Sequence, residues 1–283
     1  MRHIVDPLLW CFVPVRAGGS EVPNKNTRML HGYPVLAYTL KAIYELPFRK
    51  IVCVSTDCPR CEVTAQEMAK RHVDEQNTWF YLHPRQDITK REGPEAFRGC
   101  IEAEMPADLA THFIFCQATS PLRDRGVLAD AVTQMVKHDH RLVISVEPRM
   151  PYMYHLGFGG WRPNVASQMN RPRQVHRPSD LFYEDCGSFR LGVTPGSPAA
   201  LTETFYEGDP VAGGLACHPL DRLQALQIDS MADWKMIESG CADRLQTMMA
   251  DEKPWPAELT WPDQVALTTG PQRQRDDLDL MAT

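Results

Sequence analysis

Apolar runs and amphipathic segments alternate along the first half of the chain. Five runs have the β-branched and aromatic composition of buried strands, namely residues 10–15, 50–55, 79–82, 111–116 and 142–146. Four segments have apolar residues at helical spacing, namely residues 35–45, 62–72, 92–104 and 126–138. This alternation predicts an α/β fold with a doubly wound, mostly parallel sheet and helices on both faces. We expect the functional site in the loops at the carboxyl ends of these strands.

The second half departs from this alternation. Between residues 148 and 180 the chain is rich in proline, arginine and aromatic residues. This composition predicts a small β-rich excursion that covers the site or makes a dimer contact. The core pattern resumes near residue 187, and a helix over 233–240 closes the domain. We therefore predict one domain over residues 1–250 and a tail over 251–283 that is partly disordered.

Composition and charge exclude several functional classes. The 283 residues include 43% hydrophobic and 23% charged residues, as in ordinary globular proteins. The formal net charge of −6 argues against general binding to nucleic acid or to a membrane surface. The N-terminal apolar stretch at 7–15 is too short to span a bilayer and lacks the flanks of a signal peptide. We expect a cytoplasmic protein.

The nine cysteines are scattered, as is typical of reduced and mostly buried thiols. One close pair stands out, Cys58 and Cys61, which are separated by Pro59 and Arg60. This spacing is compatible with a redox pair or with half of a zinc site. Because no second close pair follows and no histidine lies at zinc-finger spacing, we interpret the pair as incidental.

Residues 13–20 turn the first predicted strand into a glycine loop. Gly18 and Gly19 can adopt backbone angles that other residues avoid, which lets amide groups approach phosphate oxygens. Arg16 before them and Lys25 after them supply the cations that a polyanion needs. The loop therefore predicts a triphosphate-binding site. Taken alone, an ordinary glycine turn explains it as well.

Further motifs follow this loop in a fixed order. They are Val13-Pro14-Val15-Arg16, Pro23-Asn24-Lys25-Asn26, Val54-Ser55-Thr56-Asp57, Gln117-Ala118-Thr119-Ser120-Pro121-Leu122-Arg123 and Gln227-Ile228-Asp229. Across about residues 10 to 240 they resemble the acylneuraminate cytidylyltransferase family, which activates sialic acid and related nonulosonic acids as CMP sugars. The segment 183–189 is most similar to the branch that acts on pseudaminic acid.

The resemblance implies a Rossmann-like nucleotidyltransferase fold of the glycosyltransferase-A type, with CTP as substrate, Mg²⁺ as cofactor and a homodimer as the assembly. The implied reaction is attack by an acceptor oxygen on the α-phosphorus of CTP, which releases pyrophosphate. Catalysis then depends on positioning and on offsetting charge.

The same resemblance assigns roles to individual residues. The implied catalytic residues are Arg16, Lys25 and Asp229, with Asp229 also the metal ligand. The implied nucleotide-binding residues are Arg16, Ala17, Gly18, Gly19, Ser20, Asn26 and Arg85. The implied acceptor-binding residues are Gln117, Thr119, Ser120, Arg173 and Gln174.

Several of these residues have a structural alternative. Asp229 is also well placed to cap the next helix. Gln117 is equally compatible with a plain polar loop, and Arg173 with a solvated dimer rim that includes Arg171 and Arg177. Asp57 is interpreted as a turn or helix cap rather than a catalyst.

The sequence departs from the family pattern at three positions. Glu21 stands where the family commonly has a lysine, so the loop should hold CTP more weakly. Gln227 replaces an aspartate and offers a metal only a neutral oxygen. His83 replaces an arginine, and Arg85 is the candidate to compensate.

These departures leave three functions open. The first is a cytidylyltransferase for a nonulosonic acid, and the second is one for a phosphonate or another small acid. The third is a degenerate member that binds nucleotide without turnover. The full set of Arg16, Lys25, Asn26, Gln117 and Asp229 weighs against the third.

Overall fold

The structure, a computed structural model, describes residues 7–18, 21–74, 76–84, 112–149, 154–157, 160–163, 182–193 and 214–261. The predicted helix over 92–104, most of the 148–180 excursion and the tail beyond residue 261 lie outside these ranges. So do five residues predicted to bind substrate, namely Gly19, Ser20, Arg85, Arg173 and Gln174.

The central sheet has seven strands. They are β1 (Leu9–Val15), β4 (Lys50–Thr56), β5 (Thr78–Pro84), β6 (His112–Cys116), β7 (Leu142–Arg149), β10 (Phe182–Val193) and β11 (Leu215–Pro219). Their order is β5-β4-β1-β6-β10-β7-β11. All are parallel except β10, which pairs antiparallel with both β6 and β7. This confirms the predicted α/β class with a mostly parallel sheet.

Two short hairpins stand apart from this sheet. The first pairs β2 (Met29–Leu30) with β3 (Tyr33–Pro34), and the second pairs β8 (Tyr154–Gly157) with β9 (Gly160–Pro163). The second hairpin is the part of the predicted excursion that the structure describes.

Within the described ranges, five α-helices and one short 3₁₀ helix accompany the strands. They are α1 (Val35–Tyr44), α2 (Pro59–His72), α3 (Arg125–His138), α4 (Met231–Gly240), α5 (Ala242–Met248) and the 3₁₀ helix Ala257–Leu259. Helix α1 is buried along its whole length and packs against α2 and α3. None of the helices in the described ranges is both long enough and apolar enough to cross a membrane.

Both faces of β1 are buried, which explains its unbroken apolar sequence. Cys11 and Val13 point into the larger core, which also contains the buried faces of the helices. Trp10 and Phe12 point to the opposite face, where the Phe12 ring lies 6.0 Å from that of Phe115. The loop that follows β1 therefore starts from a rigid support.

Residues after α5 return to the surface of α1 and α2. Trp255 is only 8% exposed, and its ring lies 6.5 Å from that of Tyr33. The guanidinium of Arg71 lies 5.1 Å from the centre of the Trp255 ring, and its Nη1 donates to the Lys253 carbonyl. This segment is therefore part of the folded domain.

Candidate active site

The carboxyl ends of β1, β4 and β6 lie side by side at one edge of the sheet. Val15 is paired with Thr56 there, and residue Gln117 follows the last residue of β6. Because β10 is antiparallel to β6, the middle of β10 lies at the same edge, where Phe189 is paired with Cys116. The loops after β1 and β6, which carry predicted site residues, therefore meet at an edge where ligands bind in open α/β sheets.

The loop after β1 presents the predicted triphosphate-binding residues. Arg16, Ala17 and Gly18 are exposed. Gly18 has φ +81°, and no atom lies within 4 Å of a Cβ placed on it, so glycine is required there by the backbone angle rather than by space. The buried Asn26 supports the loop, since its Nδ2 donates to the Arg16 carbonyl at 3.3 Å.

The Ala17 amide has a partner within the protein. It donates to Oδ1 of Asp57 at 2.7 Å, which ties the loop after β1 to the end of β4. Asp57 does not cap α2, because Cys58 holds the N-cap position and makes no side-chain cap bond. The predicted role of Ala17 as a phosphate donor would therefore require this hydrogen bond to open.

Lys25 and Asp229 are brought together from distant parts of the chain. Lys25 Nζ donates to the Ile228 carbonyl at 3.0 Å and to Asp229 Oδ1 at 3.3 Å. The side chains are 23% and 68% exposed, so both charges face solvent at the same edge. A cation and a carboxylate thus lie beside the glycine loop, as phosphate transfer requires.

The alternative role of Asp229 as a helix cap does not hold. Ser230 is the N-cap of α4, and its hydroxyl accepts from the Asp233 amide at 3.2 Å. The Asp233 carboxylate completes the capping box by accepting from the Ser230 amide at 2.7 Å. The Asp229 carboxylate therefore remains directed toward Lys25.

The donor set around Asp229 fits a magnesium ion that is shared with a substrate. Within the described ranges, no group of three or more His, Cys, Asp or Glu side chains could hold a metal on its own. Mg²⁺ is commonly bound by one or two carboxylates together with substrate phosphates and water. Asp229, an exposed aspartate beside the predicted phosphate-binding loop, could be one such carboxylate.

The predicted acceptor residues follow β6. Thr119 Oγ1 donates to Gln117 Oε1 at 3.4 Å, and the Thr119 carbonyl accepts from the Ile228 amide at 2.8 Å. The loop after β6 is thus joined to the segment that carries Asp229. Ser120 differs from the prediction, because it is fully buried and its hydroxyl is enclosed by the protein.

Gly187 in β10 allows two glutamine side chains to converge. A Cβ at this position would lie 2.8 Å from Gln227 Nε2 and 3.3 Å from Gln117 Nε2, and the backbone has φ +64°. Gln227 Nε2 donates to the Cys186 carbonyl. The residue that replaces the family's aspartate therefore anchors β10 to the segment before α4.

Arg123 is a structural residue of the site that sequence reasoning left without a role. It is fully buried, and its guanidinium donates to Ser188 Oγ at 3.1 Å, Thr39 Oγ1 at 3.0 Å and the Gln117 carbonyl at 3.3 Å. Burial lowers the pKa of Arg123. The sequence gives little sign of this role, because Arg123 stands beside Asp124 and Arg125 in a mostly polar stretch.

The other two departures from the family pattern lie in different surroundings. Glu21 is exposed on the loop after β1. His83, near the end of β5, contacts Ser55 Oγ through Nδ1 at 3.0 Å.

Comparison with known proteins agrees with the motifs. No protein-family model matches the chain. A pseudaminic acid cytidylyltransferase of Campylobacter jejuni strain 81-176 is 24% identical over 199 residues, which cover 69% of this chain and 81% of that protein. An N-acylneuraminate cytidylyltransferase of Escherichia coli O18:K1:H7 is 25% identical over 172 residues, which cover 60% of this chain and 34% of that protein.

The fold has a counterpart among solved structures. A CMP:2-keto-3-deoxy-manno-octonic acid synthetase, solved with CTP, superposes with a TM-score of 0.53 at 14% identity. The superposition covers 83% of this chain and 98% of that one. The named relatives and this neighbour are all nucleotidyltransferases. The predicted resemblance is thus confirmed, and the chain is similar in sequence to pseudaminic acid and N-acylneuraminate cytidylyltransferases.

Proposed function

We propose that the protein transfers CMP from CTP to a nonulosonic acid of the sialic or pseudaminic type and releases pyrophosphate. The observation that carries this proposal is the meeting of two residue sets at one edge of the sheet. Arg16 and the Lys25–Asp229 pair form the first set, and Gln117 with Gln227 forms the second. The cytidylyltransferase names of the sequence relatives support the same chemistry.

The first set suits the triphosphate. In the reaction, the acceptor oxygen forms a bond to the α-phosphorus while the bond to the pyrophosphate oxygen breaks, and the acceptor hydroxyl loses its proton. Negative charge grows on the leaving pyrophosphate. Arg16, exposed after β1, and Lys25, held by the Ile228 carbonyl, are fixed cations that offset this charge.

Asp229 is the residue that would hold Mg²⁺ beside the phosphates. The bound ion would supply further positive charge at the phosphates and would favour loss of the acceptor proton. Gln227 contributes no charge, and its amide nitrogen is used by the Cys186 carbonyl. A single protein carboxylate would then leave more of the coordination to substrate oxygens and water.

The second set suits the acceptor. Gln117 and Gln227 carry neutral amides that can both donate and accept, which is typical of groups that orient sugar hydroxyls and carboxylates. Their backbone support is buried, since Arg123 donates to the Gln117 carbonyl. The proposed contribution of Arg173 and Gln174 to carboxylate binding lies outside the described residues.

Pyrophosphate release tests the proposal directly. The purified chain is incubated with CTP and Mg²⁺, and in parallel with pseudaminic acid, N-acetylneuraminic acid or a small phosphonate as acceptor. Saturable release with either nonulosonic acid supports the proposal, and UTP in place of CTP is the control for the base. Release with the phosphonate alone would assign the chain to a different acceptor class, and no release with any acceptor would contradict enzymatic turnover.

We also propose that the protein acts as a homodimer. Phe182 and Tyr183 begin β10 and are 45% and 43% exposed, although they are large aromatic residues. They follow the segment predicted to make the dimer contact, and paired aromatics are typical of interface cores. Light scattering of the chain should give twice the 32.1 kDa mass. A double change, Phe182→Ser with Tyr183→Ser, should yield the monomer.

A further inference from the structure

Cys58 and Cys61 lie at the start of α2, immediately after the end of β4. Cys58 occupies the N-cap position and is partly exposed, whereas Cys61 lies in the first helical turn and is 1% exposed. The two cysteines are three positions apart, which places their side chains next to each other on one face of the helix start. An accessible sulfur thus faces a buried one across a single helical turn.

These contacts separate the two thiols chemically. The neighbouring Cys61 thiol is the main influence that lowers the pKa of Cys58 to about 6, and burial and the Asp57 charge oppose this shift. The pKa of Cys61 is raised well above its ordinary value by the same contact and by burial. At neutral pH these shifts favour the thiolate at Cys58 and the protonated thiol at Cys61.

Several cysteines elsewhere in the described ranges have a raised thiol pKa. Cys217 is more exposed than Cys58, yet the pKa of its thiol is raised by partial burial and by Asp185. Burial also raises the pKa of the Cys116 and Cys241 thiols. Reactivity at Cys58 is thus a property of its place at the helix start rather than of exposure alone.

We propose that Cys58 and Cys61 form a reversible dithiol–disulfide site that reacts with small-molecule disulfides and is coupled to the glycine loop. The spacing alone favours an incidental pair. Two observations support a function. The two cysteines lie next to each other at the start of α2, and Asp57, the residue before Cys58, is hydrogen-bonded to the glycine loop.

The reaction is balanced by one molecule of the small disulfide. The Cys58 thiolate attacks one of its sulfurs, a mixed disulfide forms, and one thiolate leaves. Cys61 then loses its proton and attacks the Cys58 sulfur, which expels the second thiolate. The protein dithiol has lost two electrons and two protons, and the small disulfide has been reduced to two thiols.

The coupling follows from the residues that flank Cys58. Asp57 precedes it and holds the Ala17 amide at 2.7 Å, while the Cys58 amide donates to Thr56 Oγ1 at 3.0 Å. A disulfide draws the Cys58 sulfur toward the buried Cys61 and turns the backbone between them. We expect the Asp57–Ala17 bond to weaken, which changes the loop that, under the proposed function, binds CTP.

Alkylation of the full-length reduced protein tests whether the Cys58 thiol ionises at a lower pH than the Cys217 thiol. Iodoacetamide labelling is followed residue by residue with mass spectrometry from about pH 5 to about pH 9. The rate at Cys58 should be half-maximal near pH 6, whereas the rate at Cys217 should still be rising at the upper end. A Cys58 profile that follows that of Cys217 would overturn the proposal.

Incubation with glutathione disulfide tests the pair. Wild type and Cys217→Ser should form the internal disulfide, and reduced glutathione should reverse it. Cys61→Ser should instead accumulate glutathione on Cys58, and Cys61→Ala is a second variant in case serine is not tolerated at this buried position. A stable mixed disulfide in wild type, or equal oxidation in Cys58→Ser, contradicts the proposed pair.

Hydrogen exchange tests the coupling without relying on turnover. Oxidation should accelerate exchange of the Ala17 amide by about tenfold, the equivalent of one lost hydrogen bond. The Thr27 amide, which donates to the Asn24 carbonyl at 2.9 Å, is the internal control and should not change. Unchanged exchange at Ala17 in the oxidised protein would rule out the coupling. The experiment contains no CTP, so its result does not depend on whether the protein has the proposed cytidylyltransferase activity.

Discussion

Lys25 Nζ lies 3.3 Å from Asp229 Oδ1 although 204 positions separate the two residues in sequence. The pair joins the glycine loop after β1 to the segment before α4. Because both side chains are partly exposed, the ion pair itself contributes little stability, about 1 kcal/mol or less. We therefore explain the position of this ion pair by the proposed function, which uses a cation and a carboxylate at the same place.

Asp229→Asn should raise the Mg²⁺ concentration required for half-maximal turnover by about tenfold or more, since a neutral amide is a poorer ligand than a carboxylate. The measurement is a Mg²⁺ titration of pyrophosphate release. Ser230→Ala is the matched control, because it removes the cap of α4 at a cost of about 1 kcal/mol and leaves the carboxylate in place. If the Mg²⁺ titration of Asp229→Asn is the same as that of the wild type, Asp229 does not bind the metal.

Arg16→Ala should lower kcat/KM for CTP by about a hundredfold or more, which is typical for the loss of one preorganised charge at a developing anion. Because Arg16 is exposed, the free energy of unfolding should barely change. Arg222→Ala removes another exposed arginine, in the turn after β11, and should retain wild-type kinetics. If Arg16→Ala and Arg222→Ala lowered kcat/KM equally, the loss would reflect the net charge of the protein rather than a contact made by Arg16.

Gly187→Ala should raise KM for the acceptor and lower the free energy of unfolding by about 1–2 kcal/mol, because alanine is strained at φ +64°. Its methyl group would also displace the Gln227 amide, which lies 2.8 Å away. Gly240→Ala is the matched control, since nothing lies within 4 Å of a Cβ there. It should be neutral or slightly stabilising. Denaturant unfolding measures the loss of stability in each variant, and steady-state kinetics measure the rise in KM for the acceptor.

Arg123→Lys should destabilise the protein by about 2–4 kcal/mol in urea, because an ammonium cannot replace a planar guanidinium that donates to several buried acceptors. KM for the acceptor should rise more than KM for CTP, since the Gln117 carbonyl loses its support. Arg244→Lys, which keeps a partly exposed charge near Asp124, should cost less than about 1 kcal/mol. An equal loss of unfolding free energy in Arg123→Lys and Arg244→Lys would contradict a special contribution of the buried hydrogen bonds of Arg123.

The sequence was sufficient for the parallel core of the fold. Apolar runs such as those that became β1 and β4 are buried on both faces, and such runs are easily distinguished from amphipathic helices. Strand β11 was not predicted, because Leu215–Pro219 is short and mostly exposed. The antiparallel direction of β10 was not predicted either, since strand direction depends on connections that composition does not encode.

The candidate site was predictable to the extent that its residues belong to local motifs. Arg16, Lys25 and Gln117 follow strands or turns in recognisable sequence contexts. The Asp57–Ala17 bond and the Arg123 network depend on contacts across 40 and 65 or more positions, respectively. Such contacts arise from the sheet order, so they become visible only when β1, β4, β6 and β10 are placed side by side.

The docking of Trp255 determines how the protein can be shortened or fused. A chain cut at residue 250 would leave the apolar surface around Tyr33 uncovered and would remove Glu252, which lies 2.7 Å from His72. Loss of a buried tryptophan costs about 3–5 kcal/mol, a large share of the stability of an ordinary domain. A shortened or fused version of the protein therefore has to keep residues 251–261, because they carry these contacts with α1 and α2.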